Sequence, residues 1–360
     1  MAEKQINPFE NFTCPIPLPA NKTVSIGHGS GGSLSKSLIT SVFYKHFSND
    51  ILDKNNDFAD LIQDALTDGT RIVTSTDAHV VSPLFFPGGD IGRLAVAGTV
   101  NDVSMSGAVP KYLTASFIIE EGFPIEDLDR IAASMRQCAD EADVQIVAGD
   151  TKVVEKGKAD KVFISTTGIG IKQKDLSIGG QHAEPGDSVF ISGTIGDHGI
   201  AVLAARNELG FSTEIQSDVA PLNDLIQDIL SVSDNIHVLR DPTRGGVATT
   251  LNEIAAQSNV RITLDETTLP IRREVQGACD LLGFDPLYVA NEGKVLIISK
   301  ASDDEAILAA LRDHPLGKYG RKIGTVASIE GNAPIVLMKT VIGGTRIVDM
   351  LTGAMLPRIC

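Results

Sequence analysis

The sequence predicts an α+β protein built from two layered domains. Its 360 residues are enough for two hydrophobic cores, since single cores rarely grow beyond about 250 residues. Strand-like and helix-like segments mix in both halves, with several short connections typical of hairpins. The periodic pattern weakens between residues 172 and 185, where Gly, Pro and polar residues collect, and we place the domain boundary there.

Residues 1–22 are polar and interrupted by proline, so we interpret them as an extension before a first domain at 23–172. In that domain apolar spacing and β-branched runs predict the following elements in order. They are the strand KTVSI, the glycine loop GHGSGG, the helix SLSKSLITSVFYKHF, the strand RIVTSTD ending at Asp77, a helix starting in GRLAVAGTV, the strand YLTASFIIEEG, the helix IEDLDRIAASMRQCADEA, and the strands VQIVAGD and KVFISTTGIGI.

The second predicted domain covers residues 185–345 and repeats the mixed pattern. Its elements are the strand DSVFI, a glycine-spaced turn and helix from GTIGDHG, the strand HVLR, the loop DPTRGG, the helix VATTLNEIAAQS, and the strands VRITLDE, KVLIIS, RKIGTV and IVLMK. We predict that residues 346–360 form a mobile tail, because glycines flank and interrupt this segment.

The composition excludes several classes of function. The net charge is −15 and no basic stripe is visible, which argues against nucleic acid as a general partner. No apolar run is long enough to span a bilayer, and the N-terminus lacks an apolar signal core. We therefore expect a cytoplasmic protein that does not bind a membrane.

The chain ends in Pro357-Arg358-Ile359-Cys360, which places a thiol at the last position. A tail extended from Gly353 can reach about 23 Å, so it can carry this sulfur into a deep pocket. The alternative is a terminal cysteine without a role, because chain ends tolerate change.

The glycine loop at residues 27–32 has three interpretations. A dinucleotide site is disfavoured because the next strand lies too far along the chain, and a Walker A loop fails because Ser33 stands where lysine is needed. The remaining alternatives are a plain turn and a loop whose backbone folds over phosphates. In the phosphate interpretation the contacting residues include His28, Gly29, Gly31 and Gly32.

Four aspartates have similar settings: Asp77, Asp150 and Asp241 follow apolar runs, and Asp102 lies in the small-residue, turn-like segment GTVNDVSMSG. Each one alone is as readily a strand end or helix cap, but their similar settings favour a shared Mg²⁺–phosphate cluster, because Mg²⁺ prefers hard oxygen ligands. The loop DPTRGG supports this hypothesis. It leads into a helix whose N-terminus favours an anion, and its Arg244 can contact a phosphate.

The order and spacing of these motifs from about Val24 to Cys360 closely resemble the HypE family of hydrogenase maturation factors. The matching segments are HGSGG, STD, PLFFPGGDIG, NDVSMSGAVP, GDTKVV, SGTIGDHG, RDPTRGGV, ANEGK, HPLGK and the terminal PRIC. The wider group includes aminoimidazole ribonucleotide synthetase, thiamine-monophosphate kinase and selenophosphate synthetase, which use ATP through Asp-bound Mg²⁺. The resemblance therefore implies a two-domain PurM-like fold with a homodimer interface in the N-terminal domain.

The resemblance also implies an activity and its partners. HypF would transfer a carbamoyl group to the C-terminal cysteine, and ATP would drive its dehydration from a thiocarboxamide to a thiocyanate. The cyano group would pass to iron held by HypC and HypD, which provides the cyanide ligands of [NiFe]-hydrogenase. The alternative is a related ATP-dependent synthetase acting on a small free substrate, which would need no terminal cysteine. A carrier without catalysis is disfavoured because the motifs are intact.

By the same resemblance each functional residue has an expected role. Cys360 carries the substrate, Glu292 is the candidate base, and Lys152 orients the imidate, although the roles of Glu292 and Lys152 can be exchanged. The expected Mg²⁺ ligands are Asp60, Asp77, Asp102 and Asp241, with Asp64 as the alternative to Asp60. The expected ATP-contacting residues are His28, Gly29, Gly31, Gly32, Asp77, Asp102, Gly149, Asp150, Thr243 and Arg244.

Overall fold

The structure is a computed structural model that describes residues 32–44, 46, 49–61, 70–172, 176–206, 214–329, 331, 333–351 and 359. Several predictions lie outside the described residues. They are the strand KTVSI, the loop residues His28, Gly29 and Gly31, the alternative ligand Asp64, and the terminal Cys360.

The first domain is organised around a five-stranded sheet in the order β1-β2-β7-β5-β6. Strands β5 and β6 are parallel, and the other neighbouring pairs are antiparallel. A two-stranded ribbon, β3 and β4, precedes the long helix of this domain. The strands are β1 Ala59–Leu61, β2 Arg71–His79, β3 Phe85–Phe86, β4 Gly89–Asp90, β5 Val109–Glu120, β6 Gln145–Val154 and β7 Val162–Lys172.

The α-helices of this domain whose bounds lie within the described residues are α1 Ser33–Leu38, α2 Ile91–Ser104 and α3 Ile125–Glu141, with a π-helix at Ile39–Tyr44 after α1. Helix α2 begins where the side chain of Asp90 accepts hydrogen bonds from the backbone N–H groups of Gly92 and Arg93, at 2.7 and 3.1 Å. It is rich in Ala, Val and Gly and is almost wholly buried between the sheet and α3. At Gly98 the helix approaches the ring of His79, so small residues permit this close packing.

The second domain contains a seven-stranded sheet in the order β14-β13-β10-β12-β8-β11-β9. Only the β10–β13 pair within it is parallel. The strands are β8 Asp187–Ile191, β9 Ile236–Arg240, β10 Arg261–Asp265, β11 Leu296–Lys300, β12 Arg321–Ala327, β13 Ile335–Lys339 and β14 Thr345–Ile347. The helices are α4 Asp197–Ala205, α5 Asn223–Val232, α6 Gly246–Ser258, α7 Arg273–Leu282 and α8 Asp304–Asp313. Short 3₁₀ helices occur at Leu52–Lys54, Glu266–Thr268, Pro286–Tyr288, Ala301–Asp303 and Pro315–Gly317.

Asn101, on helix α2, joins the two domains. Its side-chain amide donates to the carbonyl oxygens of Ala220 and Glu292, at 3.1 and 3.3 Å, and its oxygen accepts from the N–H of Leu222 at 2.8 Å. The side chain is buried, so all three bonds are protected from water. A single residue of the first domain thereby fixes the loop of the second domain that carries Glu292.

The predicted α+β class with two domains is confirmed, whereas three details of the aspartate settings are wrong. Strand β2 continues past Asp77 to His79, and β6 continues past Asp150 to Val154. Asp102 lies in the last turn of helix α2 rather than in a turn-like segment, because the small residues around it pack against the sheet as a helix. The predicted tail boundary falls at the first residue of β14, which pairs with β13. None of the helices within the described residues is long and apolar enough to cross a membrane.

Candidate active site

Five carboxyl groups lie close together between the domains, and we call them the acid cluster: Asp57, Asp77, Asp102, Asp241 and Glu292. Asp57 precedes β1, Asp77 is in β2, and Asp102 is in α2. Asp241 directly follows β9, and Glu292 lies in the loop before β11. Both domains therefore contribute acids to one site.

Burial and mutual repulsion raise the pKa values of Asp57, Asp102, Asp241 and Glu292. Burial, followed by repulsion from Asp241, Asp77 and Asp57, raises the pKa of Asp102 well above its ordinary value. Burial, together with repulsion from Asp57 and Asp77, raises the pKa of Asp241 to about 8 despite the attraction of Arg240. Such shifts mark carboxylates whose charges are not balanced within the protein.

Arg240 is the main cation that attracts the carboxylates of the acid cluster. Its guanidinium forms an ion pair with Asp57 and a second with Glu253, whose Oε2 accepts from Nη2 at 2.8 Å. Burial still dominates at Asp57 and raises its pKa to about 6. The arginine thus bridges a residue of the first domain and helix α6 of the second, but it does not neutralise all the acids beside it.

Glu292 is held in place through its backbone. Its N–H and that of Gly293 donate to the two carboxylate oxygens of Asp218, at 3.2 and 3.3 Å, and Lys294 Nζ lies 3.1 Å from Asp218 Oδ2. A Cβ on Gly293 would lie 1.8 Å from the carbonyl oxygen of Asp218, so only glycine allows this approach.

The side chain of Glu292 has the properties of a proton acceptor. It is 4% exposed, and within the described chain its Oε1 has no hydrogen-bond partner. Burial, followed by repulsion from Asp241 and Asp77, raises its pKa well above the ordinary value. A buried carboxyl with a raised pKa and a free oxygen is suited to exchange a proton with a ligand near neutral pH.

A cavity of about 340 Å³ opens beside the acid cluster. It is lined by residues of the first domain, of the end of β9, of the loop before helix α6 and of that helix, among them Ser35, Asp57, Arg240, Asp241, Thr243 and Arg244. Gly32 is the N-cap residue of α1, and Gly245 precedes α6 with φ of +79°. The N-terminus of α6 carries the positive end of the helix dipole, so this cavity combines cationic side chains with a helix N-terminus that favours a phosphate.

The donor types of the acid cluster fit a hard cation. Carboxylate oxygens are the preferred ligands of Mg²⁺, and a divalent cation would relieve the repulsion that raises their pKa values. In the described part of the chain, no three Asp, Glu, His or Cys side chains already surround one point. This is compatible with Mg²⁺, which usually takes one or two carboxylates and completes its shell with water and substrate phosphates.

Lys152, Gly149 and Asp150 lie apart from this cluster on strand β6. Lys152 Nζ is 2.6 and 2.8 Å from the carboxylate oxygens of Asp150, and both side chains are about two-thirds exposed. The charges that act on Glu292 come from Asp241, Asp77, Asp218 and Arg244. Within one chain, therefore, the structure groups Asp77, Asp102 and Asp241 as predicted but does not group Asp150 or Lys152 with them.

The described parts of the C-terminal segment contact the first domain at two points. The carbonyl oxygen of Leu351 accepts a hydrogen bond from Ser33 N at 2.9 Å, next to Gly32. A Cβ on Gly32 would lie 2.1 Å from the same oxygen. Ile359 is 5% exposed and forms an antiparallel bridge with Val81. The chain end therefore packs inward at the residue before Cys360.

Sequence reasoning missed Asp57. It considered Asp60 and Asp64 as the additional acid and did not consider Asp57, whose charge acts on Asp102 and Asp241. The roles of Asp60 and Asp64 stay predictions. Asp60 pairs with Val73 in the β1–β2 ladder. The sequence feature that could have identified Asp57 is its position just before the short strand β1, where the chain enters the edge of the sheet.

Comparison with known proteins gives a consistent result for both domains. The family model "AIR synthase related protein, N-terminal domain" matches residues 57–172, and the corresponding C-terminal domain model matches residues 184–335. The carbamoyl dehydratase HypE of Cupriavidus necator is 55% identical over 337 residues, which are 94% of this chain and 95% of that protein.

Two solved structures are similar over nearly the whole chain. A HypE–HypF complex contains a chain that is 50% identical with a TM-score of 0.82, and the match covers 88% of this chain and 100% of that one. A HypE structure in complex with ATP is 49% identical with a TM-score of 0.78, and the match covers 94% and 100%.

Proposed function

This chain belongs to the HypE family of carbamoyl dehydratases, and we propose that it uses ATP to convert a carbamoyl group on Cys360 into a thiocyanate for [NiFe]-hydrogenase maturation. The observation that carries the proposal is the acid cluster beside the cavity of about 340 Å³. The burial of Ile359, the residue before Cys360 in the sequence, supports a tail that carries its substrate to the protein interior.

The reaction requires activation of a poor leaving group. The oxygen of the S-carbamoyl group attacks the γ-phosphoryl of ATP, which releases ADP and forms an O-phosphorylated imidate. One N–H proton leaves as the C=N bond forms. Loss of phosphate with the second N–H proton then yields the S–C≡N group. The overall change is loss of one water from the tail, with ATP converted to ADP and phosphate.

We assign proton removal to Glu292. Its free Oε1 and raised pKa support this role, because such a carboxyl can accept a proton from the amide nitrogen. The backbone bonds to Asp218 hold Glu292 in one position, which limits the reorganisation needed during the reaction.

We propose that Asp77, Asp102 and Asp241 hold Mg²⁺, with Asp57 as the neighbouring acid and Asp60 as the additional ligand expected from the family resemblance. When bound, Mg²⁺ would neutralise phosphate charge during transfer. Thr243, Arg244 and the start of helix α6 would bind the phosphates of ATP, since they line the cavity. Gly32, with His28, Gly29 and Gly31, would close over them.

Strand β6 supports a homodimer. Its residues are exposed along most of its length in the isolated chain, including Val147 and Val153, which are 54% and 68% exposed. An edge strand with such side chains is normally covered by a partner. A second copy on this face would also bring Gly149, Asp150 and Lys152 into an interface. We expect Val147→Asp to shift the protein from dimer to monomer in sedimentation equilibrium, and an unchanged dimer would contradict this assignment.

We further propose HypF as the carbamoyl donor and the HypC–HypD complex as the acceptor of the cyano group. The test incubates the protein with HypF, carbamoyl phosphate and ATP and follows the intact mass. We expect carbamoylation and then loss of one water. Glu292→Gln should bind ATP and accept the carbamoyl group but lose no water, and full conversion by this variant would remove Glu292 from the mechanism.

Deletion of Cys360 separates this function from that of a synthetase acting on a free substrate. The dehydratase loses all product with the deletion, whereas such a synthetase would retain its turnover.

A further inference from the structure

Ile359 is the described residue nearest the chain end, and it is packed as a core residue rather than as a frayed terminus. It lies with Val81, Leu84, Phe86 and Ala290 in the hydrophobic cluster of the first domain. Its backbone pairs with Val81 in an antiparallel bridge. Cys360 directly follows Ile359 in the sequence, so the position of Ile359 bears on the delivery of the group that Cys360 would carry.

His198 makes the polar contact to this segment. Its Nε2 lies 2.5 Å from the carbonyl oxygen of Ile359, and its Nδ1 lies 2.7 Å from Ser217 Oγ. The imidazole is fully buried and packs edge-on to Phe86, with the ring centroids 5.5 Å apart. Three neighbours therefore fix the orientation of this ring.

The contacts define the proton positions on the ring. A carbonyl oxygen can only accept, so Nε2 must carry hydrogen and donate to Ile359. The hydroxyl of Ser217 then donates to Nδ1 when the ring is neutral, while its oxygen accepts from Val219 N at 3.1 Å. Burial lowers the pKa of His198, which favours this neutral form although Asp218 acts in the opposite direction.

One short segment links this contact to Glu292. Ser217 orients His198, and the adjacent Asp218 accepts the N–H groups of Glu292 and Gly293. The N–H of Ser217 is itself bonded to the carbonyl of Pro87 at 2.8 Å. The relative positions of the His198–Ile359 contact and of Glu292 therefore depend on the adjacent residues Ser217 and Asp218.

We propose that His198 is a positioning residue that holds the C-terminal segment in the reactive position through the carbonyl of Ile359. The proposal rests on the proposed function, because it concerns the delivery of the group on Cys360 to Glu292. His198 does not touch the reacting atoms. It aligns the backbone one residue before them, as dehydration requires a fixed geometry of thiocarboxamide, phosphate and base.

The same geometry permits release. One hydrogen bond and one strand bridge contribute modestly to an equilibrium, so the segment can leave for HypF and return. Loss of the donor should therefore shift the tail outward without preventing carbamoylation, which occurs on the partner enzyme.

The test compares His198→Phe, which keeps a ring beside Phe86 but has no donor, with His198→Gln, whose amide can still donate to the carbonyl of Ile359. Each protein is carbamoylated with HypF, mixed with ATP, and followed by intact mass for loss of one water. In parallel, the nucleotide-free protein is treated with iodoacetamide, and cleavage before Asp349 releases the C-terminal peptide for mass analysis.

We expect His198→Phe to bind ATP and to accept the carbamoyl group like the parent, but to dehydrate about tenfold more slowly, which corresponds to about 1.4 kcal/mol. Alkylation of Cys360 should become several-fold faster, since the tail is docked for less of the time. His198→Gln should recover most of the rate. A purely structural role would not move alkylation and dehydration in opposite directions.

Parental dehydration by His198→Phe would overturn the proposal, as would an equal loss in the Gln and Phe variants at equal thermal stability. If His198→Phe does not fold, Ile359→Ala carries the test, because truncation at the chain end leaves both domains intact. Slower dehydration with unchanged ATP affinity in that variant supports docking, and an unchanged rate refutes it.

The parent protein separates the two levels of inference. If the parent forms no thiocyanate, the proposed function fails. If the parent converts its tail and His198→Phe does so equally well, only the role of His198 fails. The alkylation measurement needs neither ATP nor HypF, so it tests the docking independently.

Discussion

Replacement of Asp241 by asparagine should stabilise the protein in the absence of divalent cations while it weakens Mg²⁺ binding. The carboxyl group of Asp241 is buried and is repelled by Asp57 and Asp77, which raises its pKa from 3.8 to about 8. An amide of nearly the same shape has no such repulsion. The prediction therefore opposes the usual expectation that substitution of a buried polar residue destabilises a protein.

The structure sets the size of the effect. The ordinary pKa of Asp241 is 3.8, so pH 7 lies about 3 pH units above it, whereas in the folded protein the pKa is raised to about 8. At about 1.4 kcal/mol for each unit, the raised pKa lowers the free energy of unfolding of the parent at pH 7 by at most about 4 kcal/mol. Neighbouring acids can take up protons in response and share the repulsion. We therefore expect Asp241→Asn to have a free energy of unfolding about 2 kcal/mol higher than the parent at pH 7.

The sign of the pH dependence follows from the direction of the shift. Below about pH 4 the carboxyl is protonated in the folded and unfolded states, and the two proteins should be equally stable. As the pH rises towards 8, the unfolded state of the parent is favoured by ionisation of Asp241. The advantage of Asp241→Asn should therefore grow across this range.

The assay is urea unfolding in EDTA at pH 4, 5, 6, 7 and 8, followed by circular dichroism. Asp265→Asn is the control, because Asp265 is partly exposed and its pKa is lowered by hydrogen bonds from Thr267. The control should lose stability rather than gain it. The reasoning is refuted if Asp241→Asn is no more stable than the parent at pH 8, or if its advantage is already complete at pH 4.

Three further outcomes follow from the same contacts. Mg²⁺ should raise the melting temperature of the parent more at pH 8 than at pH 5, and an equal increase at both pH values would argue against carboxylate ligands. Arg240→Met should reduce the free energy of unfolding by about 3–5 kcal/mol, because Asp57 and Glu253 lose their buried partner; a loss below about 1 kcal/mol in urea titrations would contradict this. Gly293→Ala should retain ATP binding but slow dehydration at least tenfold, since its Cβ would lie 1.8 Å from the carbonyl of Asp218 and displace Glu292; intact-mass kinetics at the parental rate would disprove it.

The acid cluster illustrates how function and stability oppose each other here. Asp241 is buried, Asp57 and Asp102 are half-buried, and Arg240 compensates only part of their charge. A protein selected for stability alone would not keep these carboxylates together without further cations. In the proposed phosphate-transfer site, the repulsion would provide affinity for Mg²⁺ when nucleotide binds.

The α+β class, most elements and much of the site could be predicted from the sequence, because they depend on local patterns. Apolar periodicity located helices such as Ile125–Glu141 and strands such as Val162–Lys172. The motifs DPTRGG and ANEGK directed attention to Asp241, Arg244 and Glu292, and the resemblance of their order and spacing indicated the family. These features lie within a few residues of each other in the chain, so they are visible without a structure.

Only the tertiary structure decided which of these residues meet. It brought Asp57 into the acid cluster and left Asp150 with Lys152 on an exposed strand, although sequence context favoured the opposite. It also placed His198 against the carbonyl of Ile359, across 161 residues of chain. Charge repulsion and hydrogen bonding depend on distance in space, and spacing along the chain does not encode that distance once two sheets and their helices have packed together.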